Sequence, residues 1–272
     1  MTSTIIKIRK GLDIKLAGEA EKTLNPIRSR FYGIKPPDFT GLSPRLLVQE
    51  GDVVKTGTPV IQDKKQERLV FASPVSGTVK EIRRGEKRLL LEVVIEADGK
   101  EDFIDFGKAD PKSLTREQIV DKMLKSGVWP VLRQRPFNVV PNPDETPKSI
   151  FISAFDTSPL APDFDFIMEG QGQAFQTGLD ALKKLTSGKT FLNIGGDSGV
   201  SKIFLEAKGV EINRFSGPHP TGNVSAQIAQ LDPLGKGEVI WYLRPQEVMI
   251  IGRLFLSGHY DPTRIIALTG SM

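Results

Sequence analysis

Short apolar segments recur at close intervals along residues 46–82, and polar or glycine-containing turns separate them. Apolar pairs begin at Val53, Val60 and Val70, and each is followed within a few positions by polar or small residues. This pattern predicts short strands joined by tight turns. We therefore expect a compact β module over residues 41–98.

Two turn motifs within this module are similar to each other. The runs EGDVVK at 50–55 and SGTVK at 76–80 each place a glycine before a β-branched strand with a basic end. This repeat resembles the barrel-sandwich hybrid of biotinyl and lipoyl carrier domains, in which a hairpin presents a modified lysine. Here Gln66 occupies the lysine position, with Lys64 and Lys65 beside it. We expect solvated charges at the hairpin tip, and a lysine-modified carrier domain is the alternative.

The chain before this module predicts little regular structure. Residues 5–8 are apolar enough for one strand, and the positions that follow show little periodicity. Three prolines lie within residues 1–40 and restrict the backbone there. We expect an N-terminal strand and an extended arm over this segment.

The segment 99–148 combines one helix with a proline-rich stretch. Thr115 and Gln118 fit a capping box, and apolar residues spaced four apart lead to Gly127 as the expected stop. Residues 129–147 hold five prolines, which fix φ and remove backbone donors. We predict a linker or crossing segment there, outside any sheet.

The remaining residues, 149–272, have a different rhythm. Short apolar runs of strand type alternate with helical apolar stripes, which is typical of a mostly parallel sheet with helices on both faces. Strands are predicted at 150–154, 191–194, 210–213, 239–243 and 264–268, and helices at 175–185, 203–205 and 245–255. The expected fold class is α/β, with a Rossmann-like open sheet beside the barrel-sandwich hybrid in a multidomain α+β chain. A buried-type strand so close to the last residue predicts that the chain is a C-terminally truncated part of a longer protein.

The composition excludes several kinds of chemistry. The chain has no cysteine and only two histidines among 272 residues, so we expect no disulfide, no cysteine-ligated cluster and no metal site. Apolar runs such as 239–243 are far shorter than the roughly 20 residues of a membrane span. Charges at Lys7, Arg9 and Lys10 interrupt the stretch where a signal peptide needs an apolar run. A cytoplasmic location is therefore expected.

Basic residues are concentrated in the front of the chain. The first 100 residues hold 19 Lys plus Arg against 13 Asp plus Glu. The surplus is densest on one strand and turn, at Arg83, Arg84, Lys87 and Arg88. Aromatic residues do not interleave with these charges and no recognition helix carries them, so nucleic-acid binding is not expected. A solvated turn is the simplest interpretation, and docking to an acidic partner or to anionic lipid is the alternative.

Three loops follow predicted strands of the α/β half, where ligands of open parallel sheets bind. The candidate ligand-binding residues in these loops are Asp156, Gly195, Gly196, Gly199, Gly217, Pro218, His219 and Pro220. The two prolines would clamp the histidine in a stiff loop. The glycine-rich loop lacks the lysine ending of a P-loop and the spacing of a dinucleotide fingerprint. A structural turn is the alternative for each loop, and nothing in the residues supports a stand-alone enzyme.

Seven runs of the sequence carry a resemblance that covers nearly the whole chain. They are KIRKGLDIKLAG, LVQEGDVVKTGTPVIQDKK, FASPVSGTVKEIRRGEKRLL, SGVWPVLRQRPF, IFISAFDTSPLAPD, FSGPHPTGNVSAQIAQLDP and VIWYLRPQEVMIIGRLF. Together they resemble the NqrA family, a component of the sodium-translocating NADH:quinone reductase. The resemblance implies a peripheral subunit on the cytoplasmic side of the bacterial inner membrane. It would belong to a six-subunit oxidoreductase complex that oxidises NADH, reduces a quinone and transports sodium.

The same resemblance has implications for cofactors and partners. This subunit would hold no redox centre and no covalently bound cofactor, with NADH, FAD, FMN and iron–sulfur carried by other subunits. Its partners would be those subunits, especially a membrane-embedded one, and ubiquinone or menaquinone would bind at the GPHP loop. Relatives often have Thr-His-x-His after that loop, where this chain reads AQIAQ at 226–230. A nucleotide- or flavin-binding module is the alternative function.

Overall fold

A computed structural model describes residues 5–14, 16, 21–196 and 199–268. The strands are β1 Ile5–Lys7, β2 Phe31–Ile34, β3 Pro44–Leu46, β4 Val53–Val54, β5 Pro59–Asp63, β6 Val70–Ala72, β7 Gly77–Arg84, β8 Leu90–Ala97, β9 Arg133–Arg135, β10 Ile150–Ser153, β11 Thr190–Gly195, β12 Glu211–Ser216 and β13 Ile240–Leu243. The helices are α1 Arg116–Lys125, α2 Phe164–Ile167, α3 Gly172–Leu182, α4 Lys202–Leu205, α5 Val224–Leu231 and α6 Pro245–Ser257.

The first part of the chain forms a barrel-sandwich of two antiparallel sheets. One sheet has the strand order β2, β8, β7, β4, and the other has the order β3, β5, β6. Inward side chains such as Val60, Val79 and Ile95 are almost completely buried between them. Gly77 permits the close pairing of β7 with β8, because an added Cβ would lie 2.0 Å from the Glu96 carbonyl oxygen. The predicted barrel-sandwich hybrid is confirmed, and β2 comes from the segment predicted as an arm.

A six-stranded sheet organises the rest of the described chain. Its order is β1, β12, β11, β10, β13, β9, and every neighbouring pair is parallel except β13 with β9. The predicted mostly parallel sheet is therefore confirmed. From β10, the next strands along the chain lie on one side and β13 lies on the other. The topological switch point, where ligands of such sheets bind, is therefore between β10 and β13.

Helices cover both faces of this sheet, because strand side chains alternate between the faces. In β10, Ile150 and Ile152 pack into the large core that includes residues of α3 and α6. Phe151 faces the other way, into a cluster with Val224 and Ile228 of α5. The alternation of strand residues thus predicts which helix each side chain meets.

The segment between the two modules is packed against both of them. The capping box of Thr115 and Gln118 is present at the start of α1, as predicted. Trp129 lies edge-on to Trp241 of β13, with ring centroids 5.4 Å apart. On the other side, a Cβ added at Gly127 would lie 2.5 Å from the Cβ of Ala72 in β6. The barrel-sandwich and the α/β sheet therefore share one continuous core.

The prediction that the proline-rich stretch stays outside any sheet is wrong. Residues 133–135 form β9, which pairs antiparallel with β13 at the sheet edge. Pro130 and Pro136 flank these three residues without interrupting them, so their backbone donors are available for the ladder. Proline count therefore indicated where a long strand could not form and missed a short one.

The predicted last strand at 264–268 is also wrong. These residues form no strand, and Ile266 and Leu268 are exposed by 75% and 87%. The edge of β13 that a further strand would need is already occupied by β9. Instead, the side-chain amide of Gln246 in α6 bonds both backbone groups of Ile265, at 2.8 and 2.9 Å.

Candidate ligand-binding site

The three predicted loops meet at one edge of the sheet, because they follow the parallel strands β10, β11 and β12. A Cβ added at Gly195 would lie 3.9 Å from the Cβ of Phe155, and the Phe155 ring stacks near Phe215 with centroids 6.4 Å apart. Gly222, just after the GPHP loop, packs so tightly on the β10 loop that an added Cβ would lie 2.5 Å from the Thr157 nitrogen. The loops of β10 and β12 therefore form one unit.

His219 is held by the hydroxyl of Thr157, which lies 3.1 Å from its Nδ1. The same hydroxyl oxygen accepts the N–H of Gly222 at 2.9 Å. Because that oxygen is engaged as an acceptor, its own proton is available for Nδ1. This arrangement favours the neutral tautomer with the proton on Nε2. Among the described residues Nε2 has no hydrogen-bond partner, so it can donate to a ligand.

The rest of the GPHP loop is fixed by the N-terminal segment. The His219 amide donates to Asp13 at 2.8 Å, and the Leu12 amide donates to the His219 carbonyl oxygen at 3.0 Å. Gly217 has a φ of +138°, and an added Cβ would lie 2.0 Å from the Ile8 carbonyl oxygen. Only glycine fits that position. Pro218 accepts the hydroxyl of Thr221 at 2.6 Å, and Pro220 accepts the Asn223 amide at 2.8 Å.

Gln227 secures this loop from beneath, within the run where related chains often carry histidines. It is completely buried on α5 and donates to Ser153 of β10 at 2.8 Å and to the Thr221 carbonyl at 3.2 Å. Its side-chain oxygen accepts from Asn193 of β11 at 2.9 Å. This buried polar network joins α5, β10 and β11 to the end of the GPHP loop.

Asp156 lies at the switch point and pairs with Arg244, the residue after β13. Their side chains are 3.1 Å apart, and the carboxylate side chain is only 9% exposed. Asp156 also accepts the amide of Ser158 at 2.9 Å, so it caps the following turn, which agrees with the structural alternative for this loop. The carboxylate is thus both a turn cap and part of the cleft wall described below.

The glycine-rich loop after β11 is less well placed for a ligand. The Gly196 amide already donates to the Phe215 carbonyl oxygen at 2.6 Å. Gly199 has a φ of +106°, and a Cβ added there would meet no atom within 4 Å. Asp197 and Ser198, which belong to the same predicted loop, lie outside the described residues. Anion binding by Gly195, Gly196 and Gly199 stays a prediction.

A cleft of about 670 Å³ opens between the barrel-sandwich and the sheet at the switch point. Asp156, Ser153 and Arg244 line it from the sheet, while Phe39 and Phe71 line it from the barrel side. Its arginines from β9 were missed by sequence reasoning. The alternating run Arg-Gln-Arg at 133–135 could have indicated two charges on one strand face.

The hairpin of the barrel-sandwich is bound to the rest of the chain. Gln66 donates to Asn142 at 3.1 Å and to Asp144 at 3.0 Å, and the Lys65 amine donates to the Gly41 carbonyl at 3.1 Å. Lys64 is exposed at the same tip. This geometry favours a scaffold over a swinging carrier arm.

The predicted basic turn lies on the rim of the barrel-sandwich. Arg83 is paired with Glu81 at 3.0 Å and with Glu92 at 2.7 Å. In contrast, Arg84, Lys87 and Arg88 have no carboxylate partner among the described residues. Lys87 and Arg88 have φ values of 53° and 61°, an unfavourable backbone that displays both side chains to solvent. We call residues 84–88 the basic rim.

Two structural features are absent from the described residues. In this part of the chain, no group of three or more His, Asp or Glu side chains converges on a metal position. Across the same residues, none of the helices has both the length and the apolar character of a membrane span.

Comparison with known proteins agrees with this architecture. Residues 6–98 match the family description "NqrA N-terminal barrel-sandwich hybrid domain", and residues 114–260 match "NqrA second alpha/beta domain". Relatives whose names identify them as the NqrA component of a Na(+)-translocating NADH-quinone reductase include proteins of Histophilus somni (39% identical over 269 residues), Pseudomonas aeruginosa (41% over 269) and Alcanivorax borkumensis (40% over 271). Each alignment covers 98% of this chain and 60% of the relative.

The fold defines a two-domain protein in which a barrel-sandwich hybrid is joined to an open, mainly parallel α/β sheet. Both matched descriptions belong to one family, and they fall on these two structural units. The chain therefore belongs to the NqrA family, which confirms the resemblance found in the sequence. It spans about 60% of the length of the curated relatives it matches. The domain boundaries 1–40, 41–98, 99–148 and 149–272 stay predictions.

Proposed function

We propose that this chain acts within a Na⁺-translocating NADH:quinone reductase as a peripheral subunit on the cytoplasmic side of the bacterial inner membrane. It contributes to assembly and to quinone binding, and it has no redox centre or turnover of its own. NADH, FAD, FMN and iron–sulfur belong to its partner subunits in this proposal. Family membership supports the placement in such a complex.

Quinone binding is supported by one observation above all, the environment of His219. Thr157 occupies Nδ1, which leaves Nε2 as the donor side of a half-buried ring. Ubiquinone and menaquinone present carbonyl oxygens, which need such a donor. The loop is also rigid, because the N-terminal segment and Gln227 hold it from two sides. A fixed donor loses little conformational entropy when a ligand binds.

The experiment uses the fact that the chain has only two histidines. With ring-¹⁵N-labelled histidine, addition of decylubiquinone to the purified chain should move the His219 signals and leave those of His259 in place. His259 is an internal control because it stacks on Phe103, with ring centroids 3.5 Å apart, in another part of the molecule. A His259→Gln variant assigns the two sets of signals.

Two results would count against the proposal. The first is the absence of any change at His219 when quinone is present above its solubility-limited working concentration. The second is an equal change at both histidines, which would indicate nonspecific partitioning of the quinone. A protein mass raised by a lipoyl or biotinyl group would instead favour the carrier alternative, and tight FMN binding would favour the flavin-binding alternative.

Assembly is supported by the basic rim. Its unpaired charges lie beside exposed Leu89, which is 55% exposed, and they suit an acidic surface on a neighbouring subunit. In this proposal the rim provides attachment to the membrane-embedded partner, and the GPHP loop provides the quinone contact.

A further inference from the structure

The cleft at the switch point has an unbalanced charge. Its walls carry five basic side chains, Lys35, Arg133, Arg135, Arg244 and Arg264, against three acidic ones, Asp38, Asp156 and Glu247. Two of the arginines are neutralised within the cleft, because Arg244 pairs with Asp156 and Arg264 pairs with Glu247. The remaining surplus comes mainly from β9.

Arg133 and Arg135 point to the same side of β9, because residues two apart share one face of a strand. Gln134 points to the opposite side, where it accepts the indole N–H of Trp241 at 3.1 Å. The two guanidinium groups are therefore about 7 Å apart along one wall, a spacing set by the strand repeat. Both residues line the cleft.

Neither arginine has a carboxylate within ion-pair distance in the described part of the chain. Arg133 stacks over the Phe39 ring and Arg135 over the Tyr242 ring, each with 4.8 Å between the guanidinium carbon and the ring centroid. Stacking uses the flat faces of the guanidinium groups and leaves the in-plane N–H groups for a ligand. The Nε of Arg135 is buried without a hydrogen-bond partner. Burial also lowers the pKa of Arg133, which means that its charge is incompletely solvated in this cleft.

We propose that this cleft binds a phosphate ester of nucleotide size, whose anionic oxygens are held by the in-plane N–H groups of Arg133 and Arg135. Planar guanidinium forks match phosphate oxygens bidentately, and two forks on one wall suit a group with several oxygens and about two negative charges. The volume of about 670 Å³ is far larger than an inorganic ion needs and lies in the range of small-molecule sites. The site differs from the quinone position, because a quinone is neutral and this wall offers unpaired charge.

Calorimetric titration of the purified chain tests the proposal directly. Adenosine 5′-diphosphate and pyrophosphate should bind, and adenosine should bind at least tenfold more weakly than its diphosphate. The double variant Arg133→Gln/Arg135→Gln should weaken diphosphate binding by at least a hundredfold, while Arg28→Gln should change it less than twofold. Arg28 is the matched control because it is 79% exposed and pairs with Glu101 away from the cleft. Arg133→Lys/Arg135→Lys keeps the charge without the fork and should give an intermediate affinity.

Other outcomes would overturn it. If neither diphosphate nor pyrophosphate gives heat at millimolar concentration with the unmodified chain, the cleft is not a phosphate site. Binding of citrate in preference to both would assign it to carboxylates. Equal diphosphate affinity in the unmodified chain and a double variant with the same circular dichroism spectrum would place binding elsewhere. The histidine signals of the quinone experiment are a separate readout, so the two proposals can fail independently.

Discussion

The hydroxyl of Thr157 lies between the ring of His219 and the backbone of Gly222, 3.1 Å from Nδ1 and 2.9 Å from the amide nitrogen. One small side chain after β10 thus sets both the orientation of the imidazole and the path of the loop that carries it. Thr157 and His219 are 62 positions apart in the sequence. They meet because the carboxyl ends of parallel strands lie at one edge of the sheet.

We therefore predict that Thr157→Val frees the His219 ring. The methyl group keeps the volume, but the buried Gly222 amide loses its acceptor, which costs about 1–3 kcal/mol of unfolding free energy. Ring-¹⁵N spectra should change from one dominant tautomer to a mixture, and urea unfolding gives the stability. Thr157→Ser keeps the hydroxyl and should behave like the parent chain. An unchanged tautomer in the valine variant would show that another group orients the ring.

The ion pair of Asp156 and Arg244 gives a second prediction. The carboxylate is nearly buried while the arginine is half exposed, so solvent screens the pair only in part. We expect a coupling free energy of about 1 kcal/mol from a double-mutant cycle of Asp156→Asn and Arg244→Gln, measured by urea unfolding. Strict additivity of the two substitutions would mean that the pair contributes nothing to stability.

The strands and the position of the candidate loops could be predicted from local pattern. Alternation indicated the barrel-sandwich, and the succession of strands and helices indicated that Asp156 and His219 share one sheet edge. These inferences need only the period of a strand and the rule for parallel sheets. The local hydrogen bonds of the capping box at Thr115 are equally readable, because both partners lie within one helical turn.

The cleft could not be predicted in this way. Its two unpaired arginines lie in a stretch whose prolines argued against a strand, and β9 pairs with β13 about a hundred residues later. Local propensity carries no information on such distant pairing. The buried position of Gln227 was hidden for a similar reason, since its partners Asn193 and Ser153 come from other strands. What the local pattern missed is therefore what long-range packing decides.

The contact of α3 with α6 leads to a stability prediction. A Cβ at Gly252 would lie 1.7 Å from the Ala174 carbonyl oxygen, which is backbone and cannot move aside. Gly252→Ala should lower the unfolding free energy by at least about 3 kcal/mol, because overpacking of this contact forces the helices apart. Gly172→Ala is the control in the same helix pair, since its Cβ would lie 3.7 Å from Ile203 and should leave stability unchanged or raised. Similar unfolding midpoints for both variants would contradict the prediction.

Asp98 gives the molecule a defined response to acid. Its carboxylate accepts the Lys100 amide at 3.0 Å and the Ser76 hydroxyl at 2.7 Å, and these bonds hold its pKa below the ordinary value. A lowered folded-state pKa stabilises the fold above the unfolded value of about 3.9 and loses that effect as the pH falls through the folded value. Asp98→Asn should therefore lower the urea midpoint at pH 7, and the two proteins should converge only below about pH 4. A constant difference across the acid range would exclude this linkage.

The basic rim makes the last prediction, which concerns assembly. Arg84 and Arg88 line a shallow groove of about 370 Å³ with Lys64 and Arg45, and of these Arg45 alone has a carboxylate partner among the described residues. Charges without partners attract an acidic surface, and that attraction weakens with salt.

We expect Arg84→Glu/Arg88→Glu to weaken binding to membranes that hold the other reductase subunits by at least tenfold. The loss should be largest at low ionic strength, because screening reduces the contribution of these charges in the parent chain as salt rises. Binding is measured by sedimentation with the membranes, and Arg28→Glu is the control for a charge reversal away from the rim. Membranes of anionic lipid without the subunits separate the two partners that the sequence left open. If charge reversal at the rim and at Arg28 weakens binding equally, attachment depends on net charge and not on this surface.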